Sequence, residues 1–217
     1  MTRESAVEDP SEGTVDFTLM YVFHEAFRRD LSLFSKAIDA DRTGDPAVRA
    51  GWDTFKKQLH VHHLAEDSSL WPALRAKVET SDDVAVIDQM EAEHARLDPL
   101  VGQVQDCFDE LETAGGAERV QELSAQLISH MDHEERQALP LIETYLGPAG
   151  WNAFRGEMRK TYGIKGGAEL FPWLLDGAPA TTTATVLRTL PPPARILYRM
   201  VWRPRYARTP RWESKAA

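Results

Sequence analysis

The sequence predicts an all-α protein: an up-down-up-down four-helix bundle with a helical C-terminal extension. Three observations carry this expectation. Apolar residues recur three and four apart over long stretches, no run alternates apolar and polar residues for long, and glycine, proline and aspartate punctuate the chain at helix-length intervals. With 217 residues, 42% of them hydrophobic and 27% charged, the chain can bury one sizeable core and carry an appendage.

The first helix is expected from Val15 to Asp41, with Leu19, Val22, Phe23, Phe27, Leu31, Phe34 and Ile38 forming its core-facing stripe. Asp45-Pro46 supplies an N-cap and a first-turn proline for the second, which runs through Trp52, Phe55 and Leu59 to Leu70. Ser81-Asp82-Asp83 opens the third, since acids suit the positive end of a helix, and Gly115-Gly116 stops it after Thr113. The fourth begins near Ala117 and ends at Gly147-Pro148. Long helices joined by short connections favour antiparallel neighbours, so residues 14–147 read as the bundle and 148–217 as the extension. Shorter helical pieces are expected in the extension, broken at Gly163, at Gly166-Gly167, at Gly177-Ala178-Pro179 and at Pro191 to Pro193.

The net charge of −9 conceals an asymmetry. Residues Arg188–Ala217 carry +7 and the remainder −16. So acidic a body repels nucleic-acid phosphates. The basic tail is expected to lie on that body, with Arg195, Arg199 and Arg203 on one helix face and Leu197, Met200 and Val201 on the face that caps the bundle. Docking of this helix on a membrane surface or on a protein partner is the lesser reading. The single cysteine, Cys107, excludes an intrachain disulfide and reads as a small buried hydrophobe. The stretch "MTRESAVEDPSEG" holds no apolar leader, and no run is long and apolar enough to span a bilayer, so a cytoplasmic location is expected.

The strongest signal is an internal repeat. "HHLAEDSSLWPAL" from His62 returns as "HMDHEERQALPLI" from His130. Each histidine has a glutamate four residues on (Glu66, Glu134), then a second acid (Asp67, Glu135), and a proline ten residues on (Pro72, Pro140). Upstream, "MYVFH" ending at His24 parallels "MEAEH" ending at His94, 38 and 36 residues before the downstream histidines. Two helical hairpins related by a pseudo-twofold follow. Residues four apart share a helix face, so each His-x-x-x-Glu pair is a claw, and inward claws of facing helices can converge on metal. One such pair alone is more often a solvated i,i+4 pair; two matched copies with partner histidines favour a metal site. With His24 and His94 the set is four His and two Glu, a donor mixture suited to iron, manganese or zinc rather than calcium or magnesium. Pro72 and Pro140 should kink their helices just beyond the claws or begin a final turn.

These residues make the chain resemble bacterial hemerythrin-like proteins with the HHE cation-binding domain, over about residues 14 to 147. The resemblance rests on His24, "HHLAED" from His62, "EAEH" ending at His94 and "HMDHEE" from His130. It implies two oxo- or hydroxo-bridged iron ions, with zinc or manganese as lesser alternatives. His24 and His62 would hold one ion, His94 and His130 the other, and Glu66 and Glu134 would bridge them. Related proteins use a five-residue spacing in the last helix, so Glu135 competes with Glu134, which the repeat favours. Oxygen carriers of the family have a fifth histidine where this chain has Met90, and Met20 stands in the equivalent place before His24. Both methionines read as core packing, and Glu91 as a candidate extra ligand.

His63 and His133, about 100° around their helices from a ligand, read as hydrogen-bond partners of ligands or as surface residues, and His60 as exposed. Asp67 reads as an acceptor behind a ligand; Trp52, Phe55 and Trp71 read as packing. The expected function is a cytoplasmic di-iron protein that binds or reacts with dioxygen, peroxide or nitric oxide, in sensing or detoxification. No separate nucleophile or acid–base pair is evident, so no catalytic residue is named. The rival is a non-catalytic metal-dependent carrier or sensor signalling through its C-terminal extension to a protein partner. A third reading is a structural zinc or single-metal bundle. The sequence is compatible with a homodimer.

Overall fold

The computed structural model describes residues 13–109 and 115–213, and these are all-helical, without a strand. Helix α1 spans Thr18–Asp39, α2 Pro46–Ala65, α3 Trp71–Arg75, α4 Ser81–Asp109, α5 Gly116–His133 and α6 Leu139–Leu141. The extension contains α7 Gly147–Leu174, α8 Ala180–Arg188, α9 Pro192–Leu197 and α10 Arg203–Tyr206. The expected stop after Thr113 lies outside the described residues, as do most of the N-terminal stretch and Lys215. Around the bundle, α1 packs on α2 and α5, and α4 packs on α5, α2 and α3.

The punctuation acts locally. Asp45 accepts from the Ala47 N–H at 2.8 Å with Pro46 in the first turn, a cap worth about 1 kcal/mol. Gly115 and Gly147 both adopt positive φ, 79° and 58°, the left-handed geometry that glycine enters without a Cβ penalty. Helix α2 does not stop at Leu70. It widens into a π-turn over Glu66–Leu70 and continues as α3.

Two apolar clusters fill the interior. One contains Phe27, Phe34, Trp52, Phe55, Leu97 and Leu127; the other contains Met20, Leu70, Trp71, Met90, Leu139 and Ile142. Met20 and Met90 are thus buried packing residues. Along each long helix the buried histidines and glutamates lie between members of the two clusters, at His24, His62 to Glu66, His94, and His130 to Glu134. A polar layer is therefore sealed between two apolar ones.

The extension departs from expectation in three respects. Helix α7 crosses Gly166-Gly167 unbroken and bends only at Gly163, whose φ is 56°. Leu197, Met200 and Val201 are exposed, at 41%, 73% and 47%; Tyr198, Trp202 and Tyr206 pack inward instead. A π-turn over Tyr198–Trp202 separates α9 from α10, and the register read for one continuous helix therefore failed. Tail arginines also bond carbonyls and a hydroxyl rather than carboxylates: Arg195 reaches Leu190 and Arg188, and Arg211 reaches Tyr206, Thr209 and the Thr54 hydroxyl.

Buried Asp30 ties the extension to α1, accepting from Trp173 Nε1 at 2.8 Å and from Arg29, which also reaches the Trp173 and Asp176 carbonyls. The Trp212 N–H donates to the Ala47 carbonyl at 2.8 Å. Its indole lies so close over Gly51 that a Cβ there would overlap it. Cys107 is half-buried rather than buried, its Sγ 3.0 Å from Arg119 Nη1. No helix among the described residues is long and apolar enough to cross a membrane.

Candidate metal centre

The ligand-type residues reach the interior because of two matched backbone features. A π-turn begins at Glu66 and another at Glu134, and in each the N–H five residues on (Trp71, Leu139) bonds the glutamate's own carbonyl. The cause is visible in the sequence. Pro72 and Pro140 lack an N–H, and their rings would press on the carbonyl four residues back, so the preceding turn opens by one residue. Pro204 stands in the same relation to the π-turn over Tyr198–Trp202. The prolines thus widen the turn containing the acids rather than kinking the helix beyond them. In the widened turn, consecutive acids can both be used.

Two groups of donors meet in the polar layer. His24, His62 and Glu134 form one, and His63, His94 and His130 the other; within each, ligand atoms lie within 4.8 Å of one another. Glu66 joins them. Its Oε1 is 3.2 Å from His62 Nε2, and its Oε2 is 3.7 Å from His94 Nε2. Glu134 Oε2 lies 3.1 Å from His24 Nε2, and His94 Nε2 lies 3.1 Å from His130 Nε2. All seven residues are buried, Glu66 and Glu134 completely.

Carboxylates behind the imidazoles set their orientation. His24 Nδ1 donates to Glu135 at 2.7 Å, His94 Nδ1 to Asp67 at 2.7 Å and His130 Nδ1 to Glu93 at 2.8 Å. Glu93 also accepts from His133 Nδ1 at 2.8 Å, and Arg28 clamps Glu135. With the Nδ1 proton engaged, each Nε2 lone pair is free to face the centre. The two acids of each repeat divide the work. Glu66 and Glu134 point inward, while Asp67 and Glu135 each orient a histidine from the other half of the repeat.

Burial and mutual repulsion strain this set when it holds no cation. Burial, with Glu134 beside it, raises the Glu66 carboxyl well above its usual range. Burial and then His24 hold His62 at about 3; burial and then His94 push His63 well below the ordinary imidazole range. For His24, burial opposes protonation but the Glu134 charge outweighs it and raises the group to about 9. For Glu134, burial opposes ionisation, yet His24 carries it down to about 2. His63 Nε2 and both oxygens of Glu66 and of Glu134 find no aligned hydrogen-bond partner. Buried groups left unpaired cost free energy, and one or two cations between the clusters would satisfy all of them. The donor set therefore fits a metal.

His63 was misplaced by sequence reasoning. It is 5% exposed and stacks on His94 with ring centroids 3.9 Å apart. A 100° offset takes a side chain out of a narrow seam, but a bundle helix buries a stripe at least that wide. His62 turns towards α1, stacked on Phe23 at 5.1 Å, and His63 turns towards α4 and α5. Glu91 is exposed and pairs with Arg75 at 2.9 Å, so it is no ligand. Glu93, which sequence reasoning passed over, carries two histidines; the signal available was an acid immediately before His94. His60 is exposed, and Trp52, Phe55 and Trp71 are core.

The family model described as the hemerythrin HHE cation binding domain matches residues 15–142. The chain belongs to the hemerythrin HHE family. Family domains of this kind bind metal cations, and the His/Glu clusters described above lie inside the matched span. Among curated proteins and among solved structures, nothing matches this hemerythrin-type chain.

Proposed function

We propose that the chain is a non-haem di-iron protein that binds or reacts with a small oxidant (dioxygen, peroxide or nitric oxide), in sensing or detoxification. The observation that carries this reading is Glu66, one oxygen facing each histidine cluster and neither oxygen hydrogen-bonded. His24, His62 and Glu134 would hold one ion, and His63, His94 and His130 the other. A bound iron pair supplies Lewis acidity and redox capacity towards an oxidant. Asp67, Glu93 and Glu135 hold the imidazoles in one tautomer. Phe23, Phe27 and Trp71, which lie against His62 and His94, keep the polar layer dry.

Iron in place of zinc or manganese rests on family likeness, since a donor set of imidazole and carboxylate without thiolate suits all three. The test is anaerobic loading with ferrous iron, metal analysis, and visible spectra under oxygen, peroxide and nitric oxide. Two irons per chain and an oxidant-dependent visible band are expected. A single ion, or zinc retained against excess iron, overturns the reading.

A sensor or carrier is the second reading, favoured by contact of the extension with the site: Tyr162 of α7 reaches Gln58, one turn before His62, at 3.5 Å. Oxygen evolution from peroxide by the iron-loaded protein separates the two, since a sensor or carrier turns over little.

A further inference from the structure

A cavity of about 320 Å³ lies between α1 and the extension, and His62 is part of its lining. Its size is that of a site for a small organic molecule. Phe23 and Leu19 from α1, Phe154 and Leu170 from α7, and Leu190 and Ala194 near α9 give it apolar walls. The extension therefore builds most of this chamber against the one face of the metal centre that carries His62. Helix α7 bends at Gly163 within the lining, and Ile164 beside it is 80% exposed.

Charge decides what the chamber suits. In a chain of net charge −9, the charged residues of the lining are, among the described residues, Arg155 and Arg159, with no acid beside them. Arg159 makes no ion pair with the described residues. Arg155 lies in the field of Asp16, but that carboxylate already accepts from the Thr18 N–H at 3.0 Å. Apolar walls with two cations fit an amphipathic anion, because guanidinium groups bind carboxylates in fixed geometry while the walls take up a hydrocarbon chain.

We infer that this cavity is a binding site for an apolar organic carboxylate, its acid group on Arg155 and Arg159 and its hydrocarbon end directed towards His62. A dioxygen or peroxide molecule needs no chamber of this size. The pocket stands on its apolar walls and its two arginines; only the meaning of the hydrocarbon end meeting His62 rests on the metal reading above.

Titration calorimetry of the full chain with decanoate, with decanol as the uncharged comparator, tests this in both metal-free and iron-loaded protein. Saturable 1:1 binding of decanoate is expected, at least tenfold tighter than decanol. The double variant Arg155→Gln/Arg159→Gln should lose at least tenfold for decanoate and little for decanol. Ala194→Phe, which fills the chamber, should weaken both; circular dichroism confirms that each variant is folded. No saturable decanoate binding, or unchanged binding in the folded double variant, overturns the inference. Normal uptake of two irons without decanoate binding sinks the pocket alone. Decanoate binding without iron uptake sinks the metal reading alone.

Discussion

Replacing Glu66 with leucine should reverse the order of stability between wild-type and variant according to whether iron is present. Glu66 is completely buried, its carboxyl pushed up by burial and by Glu134, and both its oxygens lack hydrogen-bond partners. Without metal, the folded state bears the desolvation of that group, roughly 1–3 kcal/mol for an unsatisfied buried polar group. Leucine occupies a similar volume and removes the penalty, as apolar replacement of buried charge commonly does. In a chain of this length about 1 kcal/mol moves Tm by about 2–4 °C, so the metal-free variant should melt roughly 2–12 °C higher. With free iron at about a thousand times Kd, wild-type should gain about 4 kcal/mol and the variant much less. Thermal melts followed by circular dichroism, with ferrous iron under argon and without it, measure both quantities. A variant less stable than wild-type without metal, or one stabilised equally by iron, would refute the reasoning, because Glu66 would then be an ordinary structural anchor.

Further outcomes follow from the same geometry. His63→Gln should lower iron from about two to about one per chain by metal analysis while far-ultraviolet circular dichroism stays unchanged, since His63 belongs to one cluster only. Glu93→Gln should weaken metal affinity by about 10–100-fold in competition with a chelator, because it removes the carboxylate that orients His130 and His133. Asp30→Ala should destabilise the chain by about 1–3 kcal/mol in urea unfolding, as it leaves the buried Trp173 indole N–H without its acceptor, while Arg29 keeps the Trp173 and Asp176 carbonyls. In the metal-free protein, His24 is raised from 6.5 to about 9. Its stabilising contribution should be complete below about pH 6.5 and disappear as pH rises through about 9. Wild-type minus His24→Gln, measured by urea unfolding from pH 6 to 10, should therefore shrink with rising pH.

Much of the site could be read from local spacing. Two copies of His-x-x-x-Glu, each with a partner histidine upstream and a proline downstream, pointed to His24, His62, Glu66, His94, His130 and Glu134, and the structure gathers all six in one buried layer. The repeat also favoured Glu134 over Glu135, and the fold turns the first inward and sets the second behind His24. Other roles escaped the same logic. Whether His63 faces in or out depends on how wide a stripe the neighbouring helices cover. Glu93 gains its role only because α5 brings His130 and His133 across to it.

The chain's own order of residues determined the helices, their caps and the proline-widened turns, because these depend on contacts within a few residues along the backbone. Which face of the last helical segments is buried and where the chamber beside His62 opens were decided by tertiary packing. Those outcomes depend on residues more than a hundred positions apart, such as Asp30 and Trp173, whose meeting no local period encodes.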